Sequence, residues 1–156
     1  MKNESDNTAG SDKPAADKPA IGVVLCCHGT MGEGMRDAAE MVVGPQSRLA
    51  VVGIHPGEGG AEITAALERA VEEVDRGSGV LVLTDMAGGT PCNLVVSSLA
   101  GGGIEMVAGF NLPALINVLM SRGGGASLSD LAEAAVDYGR RHVVNRNEML
   151  RACGAV

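Results

Sequence analysis

From residue 21 onward the chain alternates unbroken aliphatic runs with stretches whose apolar residues recur every three or four positions. The runs IGVVLCC (21–27), LAVVGI (49–54), GVLVLT (79–84) and IEMVAG (104–109) lack the polar–apolar alternation of a half-exposed strand. They read as strands covered on both faces. Between them lie helical patterns. Residues 31–43 place Met31, Met35, Ala38, Ala39 and Val42 on one face, and residues 61–76 align Ile63, Ala66, Leu67, Ala70, Val71 and Val74. In the second helix Arg69/Glu73 and Glu72/Arg76 stand at the i,i+4 spacing of ion pairs. Residues 91–100 are predicted helical, with Thr90 as N-cap and Pro91 at the first helical position. A short helix follows over 112–121, with Leu115, Ile116, Leu119 and Met120 inward, then one over 128–138 opened by a Ser127/Asp130 capping box. RRHVVN (141–146) fits a short final strand or a continued helix, and pattern alone leaves both open.

Strands alternating with helices in this way predict an α/β fold: a doubly wound parallel sheet flanked by helices on both faces. Residues 1–19 break the pattern. After Met1 they hold no aliphatic residue larger than Ala, so they cannot bury enough apolar surface to offset chain entropy. They are expected to be a disordered tail before a single domain over 20–156. Limited proteolysis should cut before Ala20 and leave the melting temperature unchanged; lost stability on trimming would show that the tail packs.

Composition narrows the chemistry. Phe110 and Tyr138 are the only aromatic residues, which argues against base-stacking surfaces and against a ring-sandwiched flavin. A net charge of −7 disfavours a nucleic-acid partner and suits a basic protein one. No apolar run approaches a membrane span, and the N-terminus lacks a signal-peptide core, so a cytoplasmic chain without membrane insertion is expected. Cys26, Cys27, Cys92 and Cys153 show no C-x-x-C spacing, so neither a zinc site nor a disulfide framework is expected, and no cofactor motif is present.

In doubly wound sheets the chemistry lies beyond the carboxyl ends of the strands. Strand one ends in His28-Gly29-Thr30, strand three in Asp85-Met86-Ala87-Gly88-Gly89-Thr90-Pro91. A strand order of 2-1-3-4 brings His28 and Asp85 together at the switch point. A carboxylate beside an imidazole accepts the Nδ1–H and leaves Nε2 as a nucleophile. The helix predicted to start at Thr90 offers free N–H donors and a positive dipole end to an anion. His28 with Asp85 is therefore a candidate phosphoryl-accepting pair, and Gly29, Gly88, Gly89 and Thr90 are candidate phosphate-binding residues. His55 and His142 read as surface, and Cys26 and Cys27 as packing.

Cys27-His28-Gly29, the segment from Thr84 through Asp85, Gly88, Gly89, Thr90 and Pro91 to Asn93, and Ala108-Gly109-Phe110-Asn111-Leu112-Pro113 together resemble a known family. It is the mannose-class enzyme IIA of the bacterial phosphoenolpyruvate:sugar phosphotransferase system, and the likeness runs from about Ile21 to Asn145. It implies that His28 takes a phosphoryl group from the phosphocarrier HPr and passes it to an enzyme IIB component, that Asp85 positions His28, and that the Thr90 hydroxyl contacts the phosphate. It also implies a homodimer in which a last antiparallel edge strand, where RRHVVN falls, is exchanged between subunits. Cys27 and Ala87 depart from the family, which usually has a hydroxyl residue and a bulky one there. The chain is expected to act as a separate polypeptide. Two other readings stay open: a regulatory sensor whose phosphorylation state governs binding to a target protein, and an inert flavodoxin-like module.

Overall fold

The computed structural model describes residues 20–88 and 102–154. Four strands, β1 (Gly22–His28), β2 (Leu49–Ile54), β3 (Val80–Thr84) and β4 (Ile104–Ala108), form one sheet in the order β2-β1-β3-β4. Every pairing is parallel, with Val23 opposite Leu49, Cys26 opposite Thr84 and Thr84 opposite Ala108. The described helices are α1 (Met31–Val43), α2 (Gly60–Val74), α3 (Leu112–Ser121), α4 (Leu128–Arg141) and α5 (Arg146–Ala152). The helix expected over 91–100 and the tail 1–19 lie outside the described residues.

The continuous aliphatic runs are explained by burial on both faces. Val23, Leu25, Leu81 and Leu83 face a core closed by Ala39, Leu115, Val118, Leu131 and Ala135 from α1, α3 and α4. Val24, Cys26, Val80 and Val82 face the other side, where Ile63, Leu67, Ala70 and Val74 of α2 cover them. Each fully buried side chain contributes about 1.5–3 kcal/mol of apolar transfer free energy. The Ser127/Asp130 capping box opens α4 as expected, the Asp130 N–H donating to Ser127 Oγ at 3.1 Å.

Several sequence expectations are corrected. Helix α2 ends at Val74, so Arg76 lies beyond it and donates to the Asp75 carbonyl. Neither i,i+4 pair on α2 forms, and water at these exposed positions competes well with so weak an attraction. Met31, Val42 and Met120, read as core, are 40%, 65% and 73% exposed, because a 3.6-residue period carries the outer members of a broad apolar stripe past the sheet. Helix α4 runs on to Arg141, residues 142–145 form neither helix nor strand, and α5 follows. RRHVVN is thus no strand here, and among the described residues it has no ladder partner.

Gly22 marks a close helix–sheet approach. A Cβ there would lie 2.7 Å from Val74 Cγ2 and 2.8 Å from the Val74 carbonyl oxygen. Gly22→Ala is expected to push α2 off the sheet and cost about 1–3 kcal/mol, read as a lower urea midpoint at constant slope. An unshifted midpoint would show that α2 yields freely.

Candidate functional site

The register that pairs Cys26 with Thr84 brings His28, the last residue of β1, and Asp85, the first residue after β3, to the same end of the sheet. There the Asp85 carboxylate binds His28 twice. The His28 backbone N–H donates to Oδ2 at 3.0 Å, and ring Nδ1 lies 2.9 Å from Oδ2 and 3.2 Å from Oδ1. An ionised carboxylate only accepts, so Nδ1 carries the proton and Nε2 keeps its lone pair. The Asp85 side chain is 11% exposed and that of His28 45%, so the orienting group is sheltered and the ring accessible. Burial pushes the Asp85 carboxyl pKa up. Hydrogen bonds from the His28 backbone and ring, the charge on that ring, and the Met86 N–H outweigh this and hold it below the usual carboxylate range. Fixed donors to the charged form win over partial desolvation.

The chain turns sharply after His28. Gly29 has φ 56°, in the left-handed region that favours glycine, and donates its N–H to the Ile54 carbonyl at 2.8 Å. Helix α1 then starts at Met31, and Thr30 gives it no side-chain cap. Its first turn therefore presents N–H groups and a positive dipole end close to His28. On the other side Gly88, with φ 76°, turns the chain after Asp85. Gly89 and Thr90 lie outside the described residues. Met31 and Met86, 40% and 53% exposed, make the rim apolar.

The neighbouring thiols stay out of the chemistry. Burial first, then the Asp85 charge, pushes Cys26 up to about 11 and Cys27 up to about 12, so neither supplies thiolate near neutrality. His142 stacks on Tyr138 at 4.1 Å between ring centroids and pairs its Nδ1 with the Tyr138 carbonyl. Among the described residues no group of three or more His, Cys, Asp or Glu could hold a metal ion, and no helix is long and apolar enough to cross a membrane.

Two residues near the site were not expected. Asn111 caps α3 by accepting the Ala114 N–H at 3.0 Å, an Asn before Leu-Pro being the readable signal. Glu33, in the first turn of α1, has a buried Oε2 with no hydrogen-bond partner.

Known proteins share this fold and sequence pattern. The profile of the EIIA-man family, described as the PTS system fructose IIA component, matches residues 22–136. The mannose-specific EIIAB component of Escherichia coli K12 is 32% identical over 124 residues, covering 79% of this chain and 38% of that protein's length. The fructose-specific EIIA component of Bacillus subtilis is 32% identical over 103 residues, covering 65% of this chain and 70% of its own. Among solved structures, the PTS IIA protein associated with the fucose utilization operon of Streptococcus pneumoniae superposes with a TM-score of 0.75 at 29% identity, covering 84% of this chain and 96% of its own. The mannose/sorbose-specific IIA subunit of Enterococcus faecalis gives 0.73 at 27%, covering 81% and 94%.

Proposed function

The chain belongs to the EIIA-man family of phosphotransferase-system IIA components, and from that premise we propose that His28 is its phosphoryl carrier, charged by phospho-HPr and discharged to an enzyme IIB component. The observation that carries this reading is the double hold of Asp85 on His28 through backbone N–H and Nδ1. The Nε2 lone pair attacks phosphorus in line, and the bond to the donor's ring nitrogen breaks with its electron pair returning to that ring. Asp85 offsets the positive charge gained by the His28 ring. Charge stabilisation and alignment are the protein's whole share of such a transfer. The first-turn amides of α1 and those near Gly88 face the incoming oxygens, and Gly29, Gly89 and the Thr90 hydroxyl complete the phosphate site. The substrate on which this phosphoryl relay ends is set by other components. The test is incubation with enzyme I, HPr and phosphoenolpyruvate followed by intact mass. A gain of one phosphoryl group is expected, and no gain would reject the reading.

The carrier is further proposed to be a cytoplasmic homodimer. Strand β4 is a sheet edge, and Met106, Val107, Ala132, Glu133, Val136 and Asp137 line a groove beside it. Residues 140–146 bring Arg140, Arg141 and Arg146 together with Val143 and Val144, which are 77% and 52% exposed. A basic, apolar segment of one subunit complements that acidic-walled edge in another, and a fifth strand there would close it. Light scattering at micromolar concentration should give twice the chain mass, and removal of residues 140–156 should expose the edge and cause aggregation. A monomer mass would count against the exchange.

A further inference from the structure

The sheet has two edges. The exchange proposed above closes β4, and β2 forms the opposite edge. The direction of the backbone groups along β2 follows from its two ends. The Arg48 carbonyl accepts from the Val23 N–H at 3.0 Å, and the Ile54 carbonyl accepts from the Gly29 N–H at 2.8 Å, so the even-numbered residues turn toward β1. That direction alternates along a strand, so Leu49, Val51 and Gly53 turn their N–H and C=O groups outward. Among the described residues no hydrogen bond takes up these outward groups. A groove of about 490 Å³ runs along this edge with the same three residues in its floor. Arg36 of α1 stands on one wall, and Ala66, Arg69, Ala70 and Glu73 of α2 stand on the other. LAVVGI holds no charge, proline or bulge of the kind that blunts an open edge.

We propose that this groove docks an extended, acidic segment of a partner protein, which adds to β2 as a further strand. Ladder bonds to Leu49, Val51 and Gly53 supply the hold, and the walls supply the selection. Side chains of an added strand alternate between the two faces, one toward α1 and the next toward α2. Carboxylates at such positions meet Arg36 and Arg69. Arg69 makes no ion pair among the described residues, and Arg36 reaches only Asp37, at 3.7 Å. A guanidinium matches a carboxylate with paired N–H donors. Glu73 is outnumbered by these two arginines, so the groove is locally positive on a chain whose net charge is −7. Ala50, Ala66 and Ala70 are small and leave room on the α2 side for a branched apolar side chain. The walls also select the shape of the occupant. The β2 strand of a second copy comes flanked by its own helices and sets arginines against arginines, whereas a bare extended segment enters between α1 and α2. Nothing in this contact involves His28, so it stands apart from the carrier chemistry.

The probe is a capped peptide, acetyl-Thr-Val-Glu-Glu-Val-Thr-amide, added to the unaltered chain while amide hydrogen exchange is followed by NMR. In the free chain the amides of Leu49, Val51 and Gly53 should exchange fast, and those of Ala50, Val52 and Ile54, which face β1, slowly. Peptide at about ten times its dissociation constant should slow the three outward amides by about tenfold. The same peptide with Lys in place of Glu should bind about fivefold more weakly or worse, and so should the Glu peptide on a chain carrying Arg36→Ala and Arg69→Ala. The Lys peptide makes this comparison without altering the fold. Binding without protection of the outward amides, or no binding of the Glu peptide, would overturn the strand addition. Equal binding of the Glu and Lys peptides would overturn the acidic partner. Outward amides already protected in the free chain would mean that another part of the chain or a second copy covers β2, which overturns the proposal as well.

Discussion

His28→Ala removes all phosphoryl uptake from phospho-HPr, while His142→Ala still ends with one phosphoryl group per chain. The expectation follows from what each imidazole faces. His28 has its Nδ1 held 2.9 Å from Asp85 and its Nε2 directed to the open end of the sheet. His142 spends its Nδ1 on the Tyr138 carbonyl at 2.7 Å and covers its face with the Tyr138 ring, just past the end of α4. Cys26 and Cys27 do not substitute as nucleophiles, since both thiols stay protonated near neutrality. The variant should fold, because His28 is the exposed last residue of β1 and its backbone N–H still donates to Asp85. Intact mass after incubation with enzyme I, HPr and phosphoenolpyruvate measures the effect. Phosphate retained on His28→Ala, or a need for ATP and Mg²⁺ in place of phospho-HPr, would sink the assignment.

The pairing of His28 with Asp85 was legible in the sequence because a parallel sheet leaves few choices. Strands buried on both faces must run parallel with helical crossovers, and order 2-1-3-4 makes strands one and three neighbours. Residues just past their ends then meet, although they are 57 positions apart in the chain. Glu33 stayed hidden for a local reason. Thr30-Met31-Gly32-Glu33 has the spacing of a capping box, so its carboxylate has an ordinary local use on paper. Only the packing of α1 against β2 shows that Thr30 makes no cap and that Glu33 turns toward Gly53. The methionines misled through periodicity. Met35 packs on the core, whereas Met31 on the same helix and Met120 on α3 face outward, because helical spacing gives a stripe but not its width. The edge segment 141–146 was ambiguous because its partner, if the dimer forms as proposed, belongs to another chain.

Asp85→Asn is expected to slow transfer to His28 by roughly 10²–10⁴-fold while leaving the fold intact. The carboxylate accepts at both oxygens, one bonded to the His28 backbone N–H and both within reach of Nδ1. An asparagine offers one acceptor and one donor in the same shape. If its oxygen keeps the backbone N–H, its NH₂ faces Nδ1 and draws the ring to the opposite tautomer. Nε2 then carries the proton and its nucleophilic lone pair is gone. The amide also cannot offset the positive charge of the phosphorylated ring. Stability supplies a second readout, and its sign follows from the lowered Asp85 pKa. Burial raises that pKa, but the hydrogen bonds and charge at His28 and the Met86 N–H lower it further, so the folded value lies below the unfolded one. A carboxyl group shifted in this direction stabilises the fold above its unfolded pKa of about 3.9, and the contribution fades as pH falls through the folded value. The stability advantage of the unaltered chain over Asp85→Asn should therefore narrow as pH drops below about 4. Urea unfolding of both proteins on either side of that pH measures the change. A gap that stays constant with pH, or a transfer rate within a few-fold of the unaltered chain, would show that Asp85 neither holds the His28 ring nor sets its tautomer.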